Sequence, residues 1–138
     1  MPYKFEQLEV WQLSMEYIDV IYALVEKLPS KEEYNLKSQL MRAATSISLN
    51  IAEGSTGQTN AEQARFLSMA IRSLIETVAC QHLIRRRNYL SDIPMLDLAY
   101  GKSEILAKKL QAFRKALKSP NYQVHEDLSL YVTENDIL

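Results

Sequence analysis

Apolar side chains recur along this chain at intervals of three and four residues, and the rhythm breaks at only three short polar or proline-marked places. Trp11, Ile18 and Val25 repeat every seven residues, with Met15, Ile21, Tyr22 and Leu28 in adjacent positions. That pattern predicts an amphipathic helix from about Leu8 to Leu28, stopped by Pro29. Ser30 followed by Glu33 has capping-box spacing, in which hydroxyl and carboxylate satisfy free backbone N–H groups, so a second helix is expected from near Lys31. Its buried face is Leu36, Leu40, Ala43, Ile47 and Ile51, beside a small-residue stripe of Ala44, Ser48 and Ala52, and Gly54 is its expected stop. Thr59 with Glu62 repeats the capping spacing ahead of a third helix, whose stripe of Phe66, Met69, Ala70, Ser73, Leu74, Thr77, Cys80, Leu83 and Ile84 continues to about Tyr89. Ser91-Asp92 offers a cap for a fourth helix, and Pro94 suits its first turn, where a missing N–H costs nothing. Leu96, Ala99, Tyr100, Ser103, Leu106, Leu110, Phe113 and Leu117 face inward there, and Pro120 closes it.

Long helices joined by connections of a few residues must run antiparallel to their neighbours. The expected fold is therefore all-α, an antiparallel up-down-up-down four-helix bundle over residues 3–118, followed by an acidic tail at 119–138. In that tail Leu128, Leu130 and Val132 alternate weakly and predict no helix. A chain of 138 residues suits one core, and 3 Gly and 4 Pro leave few turns.

Cys80 is the sole cysteine, so no internal disulfide is available and a reducing cytoplasm fits. The N-terminus lacks a hydrophobic signal core and no apolar run approaches the roughly 20 residues of a membrane span, so a soluble protein with no membrane contact is expected. The formal net charge of −1 hides a division. Residues 1–59 carry 5 basic against 8 acidic side chains, residues 60–118 carry 11 against 5, and residues 119–138 carry none against 4.

Two polar constellations stand out. Arg42, Ser46, Asn50 and Glu53 share one face of the second helix, and Arg65, Ser68, Arg72 and Glu76 share one face of the third. In an antiparallel pair these meet as Arg42 with Glu76, Ser46 with Arg72, Asn50 with Ser68 and Glu53 with Arg65. They form a ladder that sets the hairpin register or seals a subunit interface, or else two solvated faces. The second constellation is Arg85, Arg86 and Arg87 with Lys108, Lys109, Arg114, Lys115 and Lys118, a basic half that either contacts nucleic-acid phosphates or serves as a cationic helix end with solubility charge. No enzyme is expected. His82 and His125 have no neighbour at metal-ligand spacing, no Glu lies three residues before either, and Cys80 on a buried stripe behaves as a small hydrophobe. No catalytic residue, metal or cofactor is assigned.

Several runs are recognisable as they stand: Phe5-Glu6-Gln7-Leu8-Glu9-Val10-Trp11-Gln12, then Arg42-Ala43-Ala44-Thr45-Ser46-Ile47, Asn50-Ile51-Ala52-Glu53-Gly54, and Arg65-Phe66-Leu67-Ser68-Met69-Ala70 with Ser73, Leu74 and Glu76. Together, over residues 3–118, they resemble the bacterial four-helix bundle family of 23S rRNA-intervening-sequence proteins. The resemblance implies a homopentamer, and it extends to the accessory proteins of diversity-generating retroelements, which bind a reverse transcriptase and nucleic acid. Two departures are visible. Ser48 and Leu49 stand where the family often has Pro then Ser, which implies a straighter second helix. The chain is also close to neutral, where the retroelement proteins are strongly basic. The expected function is thus a non-enzymatic homo-oligomeric binding or scaffold module, with a nucleic-acid or ribonucleoprotein accessory role as the alternative.

Overall fold

Four helices account for the periodic segments: α1 (Glu9–Glu26), α2 (Leu36–Gly54), α3 (Asn60–Arg86) and α4 (Ile93–Leu117). They are seen in a computed structural model that describes residues 3–119. The expected acidic tail, with His125 and Pro120, lies outside the described residues but for Ser119. α1 packs on α2 and α4, and α3 packs on the same two, so α1 and α3 occupy opposite corners of an antiparallel four-helix bundle. Among the described residues no helix is long and apolar enough to cross a membrane.

The helix starts show where local chemistry prevails and where it loses. Thr59 caps α3 by accepting from Glu62 N at 3.1 Å, and Asp92 caps α4 by accepting from Met95 N at 3.1 Å. The box expected at Ser30 and Glu33 does not form; Ser30–Glu32 is a 3₁₀ turn and α2 starts at Leu36. Glu33 pairs with Lys37 at 3.2 Å instead, and it is Glu32 whose carboxylate meets the backbone where α2 begins. Tyr89, beyond the end of α3, donates its hydroxyl to Glu32 Oε2 at 2.7 Å, and the other oxygen accepts from Asn35 Nδ2 at 3.0 Å and Leu36 N at 3.4 Å. The Tyr89 bond holds the Glu32 carboxyl below its ordinary range and pushes the Tyr89 phenol up. α3 ends three residues sooner than expected, because Asn88 takes a left-handed conformation (φ 55°) and Tyr89 N reaches back to Ile84 O at 3.3 Å.

The buried face of α1 is rotated from the expected stripe. Ile18, Ile21, Val25 and Leu28 of that stripe are buried as expected, but Tyr17 and Leu24 are wholly buried beside them, whereas Met15 and Tyr22 are exposed. In α3, Leu67 and Ile71 are buried and Leu83 is exposed; in α4 only Tyr100 of the expected stripe faces water. A seven-residue repeat marks the edge of a buried face as readily as its centre, and in α1 it marked the edge.

The ring of Tyr17 is the largest fully buried side chain, and its hydroxyl crosses the diagonal from α1 to α3. Thr77 Oγ1 donates to Leu74 O at 2.6 Å, so the 2.7 Å contact between Tyr17 and Thr77 has the tyrosine as donor, and the phenol oxygen then accepts from Gln81 Nε2 at 2.7 Å. Burial pushes the Tyr17 phenol up to about 12. Gly54 marks a second tight place. It has no positive φ, so it is not a left-handed cap; a Cβ there would lie 2.8 Å from Phe66 Cβ. The expected stop is in position, but its cause is the close approach of α3.

Two outcomes follow. Gly54→Ala adds helix propensity worth about 1 kcal/mol yet forces α2 and α3 apart, so the net effect should be a loss of about 1–3 kcal/mol in denaturant melts. Tyr17→Phe strands Gln81 Nε2 and should cost about 1–3 kcal/mol, with Tyr17→Phe combined with Gln81→Leu recovering much of it. Because the folded phenol titrates about 2 units above its ordinary 10, its contribution is intact below pH 10 and lost as pH rises through 12. The phenylalanine variant should lack that part of the alkaline decline.

Candidate functional site

The seam between α2 and α3 is built from small side chains. Ala43 and Ala70 are buried and Ser46 and Ser73 half-buried, so the backbones come close enough for Ser73 Oγ to donate to Ser46 Oγ at 2.9 Å. At the outer edge of this seam Arg42 Nη2 donates to Glu76 Oε2 at 2.7 Å. The other expected rungs are not made. Arg72 points outward, and Ser46 meets Ser73 in its place. Asn50 turns back to Ser46, donating to its carbonyl at 2.8 Å and its hydroxyl at 3.0 Å. Ser68 donates to Ala64 O at 3.1 Å and accepts from Arg114 Nη1 of α4 at 3.3 Å. Glu53 makes no ion pair among the described residues, and Arg65 lies over its neighbour Phe66, 4.8 Å from the ring centroid.

The basic set is divided along the bundle. Arg85 pairs with Asp97 at 2.9 Å where α3 ends and α4 begins, with Arg86 and Arg87 exposed beside it. Lys115 lies further along α4 by roughly 27 Å of helix, with Lys118 beyond it. Lys109 is taken up by Glu9 of α1 at 2.9 Å, and Arg114 is half-buried on Ser68. Lys108, Lys115 and Lys118 are exposed and make no ion pair among the described residues. These eight residues form two clusters at different heights, not one patch.

The sequence pattern missed an apolar strip. Met15 and Tyr22 of α1 and Met41 and Leu49 of α2 are all exposed, and the Tyr22 hydroxyl meets Thr45 Oγ1 at 3.1 Å across the groove between these helices. Tyr22, Met41, Thr45 and Leu49 line a shallow depression there together with Arg42, Ser46, Asn50 and Glu53. Centring α1 on Tyr17, Ile21 and Leu24 would have revealed the strip, because Met15 and Tyr22 then fall outside the buried arc. A second apolar groove, between α1 and α4, holds Val20, Ala23, Pro94, Met95 and Leu98 beside Asp19 and Asp92.

Reactive groups are muted. Cys80 is buried and its thiol is pushed up, chiefly by burial, which keeps it protonated. His82 stands edge-on to Tyr100, the rings 6.2 Å apart. Among the described residues no three His, Cys, Asp or Glu side chains converge as metal ligands. The Arg42–Glu76 pair is the quantifiable contact of the seam. Its side chains are 66% and 37% exposed, so a double-mutant cycle with Arg42→Met and Glu76→Leu should give a coupling below about 1 kcal/mol in the monomer.

Comparison with known proteins agrees with this architecture. A crystal structure of a protein of unknown function from the S23 ribosomal protein family of Bacteroides thetaiotaomicron matches with a TM-score of 0.70 and 26% identity, over 77% of this chain and 98% of that one. No curated protein matches. The model of the 23S rRNA-intervening sequence proteins matches residues 6–116, which takes in α1, α2, α3 and all of α4 but Leu117, with the motifs from Glu6 to Glu76. The chain belongs to the 23S rRNA-intervening sequence protein family.

Proposed function

We propose that this chain is a non-catalytic, homo-oligomeric scaffold or binding module, which assembles through apolar side chains that a lone bundle leaves in water. The observation that carries this reading is the strip of Met15, Tyr22, Met41 and Leu49, with Leu49 at 56% exposure. Scattered apolar residues are normal on a surface, but a strip running across two helices marks a contact surface. Removing each of these half-exposed side chains from water contributes roughly 1 kcal/mol to association. Five copies is the assembly that the family resemblance implies. The buried, protonated Cys80 thiol and the edge-on contact of His82 with Tyr100 support a non-catalytic role, and a lone free thiol suits the cytoplasm.

A nucleic-acid or ribonucleoprotein accessory role is the second reading, favoured by Lys108, Lys115 and Lys118 on α4, exposed cations that make no ion pair among the described residues. It ranks lower because Arg86 and Arg87 are remote from them along the bundle. Strong, salt-sensitive retention of single-stranded RNA or duplex DNA would reverse that order.

Gel filtration coupled to light scattering should find a species larger than a dimer at micromolar concentration, and Leu49→Asp should shift it toward the monomer. A single species at the chain mass of 15.9 kDa would end the scaffold reading.

A further inference from the structure

α1 carries four acidic side chains, Glu9, Glu16, Asp19 and Glu26, and no basic one. Glu9 and Glu16 lean toward α4, where Lys109 lies 2.9 Å and Lys102 3.9 Å away. Asp19 and Glu26 make no ion pair among the described residues. With Met15 and Tyr22 they recur at spacings of four, three and four, so the four side chains form one ridge, and all of them are exposed.

The outer ridge of α3 has the opposite sign. Arg65, Arg72, Ala79 and Arg86 follow one another at seven-residue intervals, and all are exposed. None of the three arginines makes an ion pair among the described residues. Ile75, at 60% exposure, and Leu83, at 47%, flank this ridge.

These ridges cannot meet within one chain, because α1 and α3 sit at opposite corners of the bundle. A second copy of the chain supplies the complement that the first lacks. The interval from Asp19 to Glu26 is seven residues, as is that from Arg65 to Arg72, roughly 10.5 Å of helix in each case. Two carboxylates can therefore face two guanidiniums at once, while apolar side chains on both ridges leave water. Pairing α1 with α1 would set Asp19 and Glu26 against like charges, an arrangement that complementary interfaces avoid.

We propose that the basic ridge of α3 in one copy docks on the acidic ridge of α1 in the next. The contact is heterologous, so it repeats in one sense from copy to copy and leaves no ridge unused when it closes into a ring. This rests on the homo-oligomeric reading and adds which surfaces meet.

Charge reversal tests it. Asp19→Lys with Glu26→Lys makes both ridges basic, and Arg65→Glu with Arg72→Glu makes both acidic. Each double variant should raise the concentration at which the assembly dissociates by at least about tenfold at roughly 0.15 M salt. The chain with all four substitutions should recover the wild-type mass, and an equimolar mixture of the two double variants should also reassemble. Circular dichroism checks that each variant is helical, and Asp19→Asn with Glu26→Gln, which only removes charge, should give a smaller loss and serves if reversal unfolds the chain. A monomeric wild type would defeat the scaffold reading and this inference with it. An oligomeric wild type whose mass is unmoved by both double variants, or whose loss is not rescued by the fourfold variant or the mixture, would overturn the ridge pairing alone.

Discussion

A single hydroxyl group in the centre of the bundle constrains the placement of all four helices. Tyr17 cannot be buried unless its phenol finds partners, and Thr77 and Gln81 stand one helical turn apart on the diagonal helix to supply them. Apolar packing alone tolerates sliding and rotation of helices, because any leucine will fit against any other at modest cost. A donor and an acceptor meeting at 2.7 Å on each side of one oxygen do not. With α1 held across the diagonal from α3, α2 and α4 are left the two remaining corners, each touching both diagonal helices.

Around that node the seams differ in character. α2 and α3 are joined by small residues and close backbones, with Gly54 against Phe66 and Ser46 against Ser73. α1 and α4 are joined at their outer edge by ion pairs, Glu9 with Lys109 and Lys27 with Asp92, over an apolar groove. The first seam is short-range and intolerant of added volume; the second is wet, screened by salt and worth little per pair. The central hairpin is thus close-packed within, and the Arg42–Glu76 bridge lies at its exposed outer edge.

The near-neutral net charge conceals a polarised molecule. Every charged side chain on α1 is acidic, while α3 and α4 carry the surplus of Arg and Lys. Such an arrangement repels like surfaces and attracts unlike ones. Arg65 and Arg72, expected to face Glu53 and Ser46, are instead exposed and make no ion pair among the described residues, with Arg65 lying over Phe66.

The sequence by itself determined the all-α class, the number of helices, the caps at Thr59 and Asp92 and most of the buried stripe in α2 and α4, because periodicity and capping act within a few residues of chain. It also implied the register that brings Arg42 to Glu76, since antiparallel helices with a short connection leave little freedom. Only the tertiary structure decided which way α1 turns, because a tyrosine is apolar by its ring and polar by its tip, and its burial depended on partners sixty or more residues away. Tertiary contact likewise tied Glu32, at the start of α2, to Tyr89 and gave Gly54 its purpose. It also separated the basic residues into two clusters and brought Tyr22, Met41 and Leu49 around one depression. Those outcomes turn on distances between helices, and a one-dimensional pattern holds no information on a distance until the helices have packed.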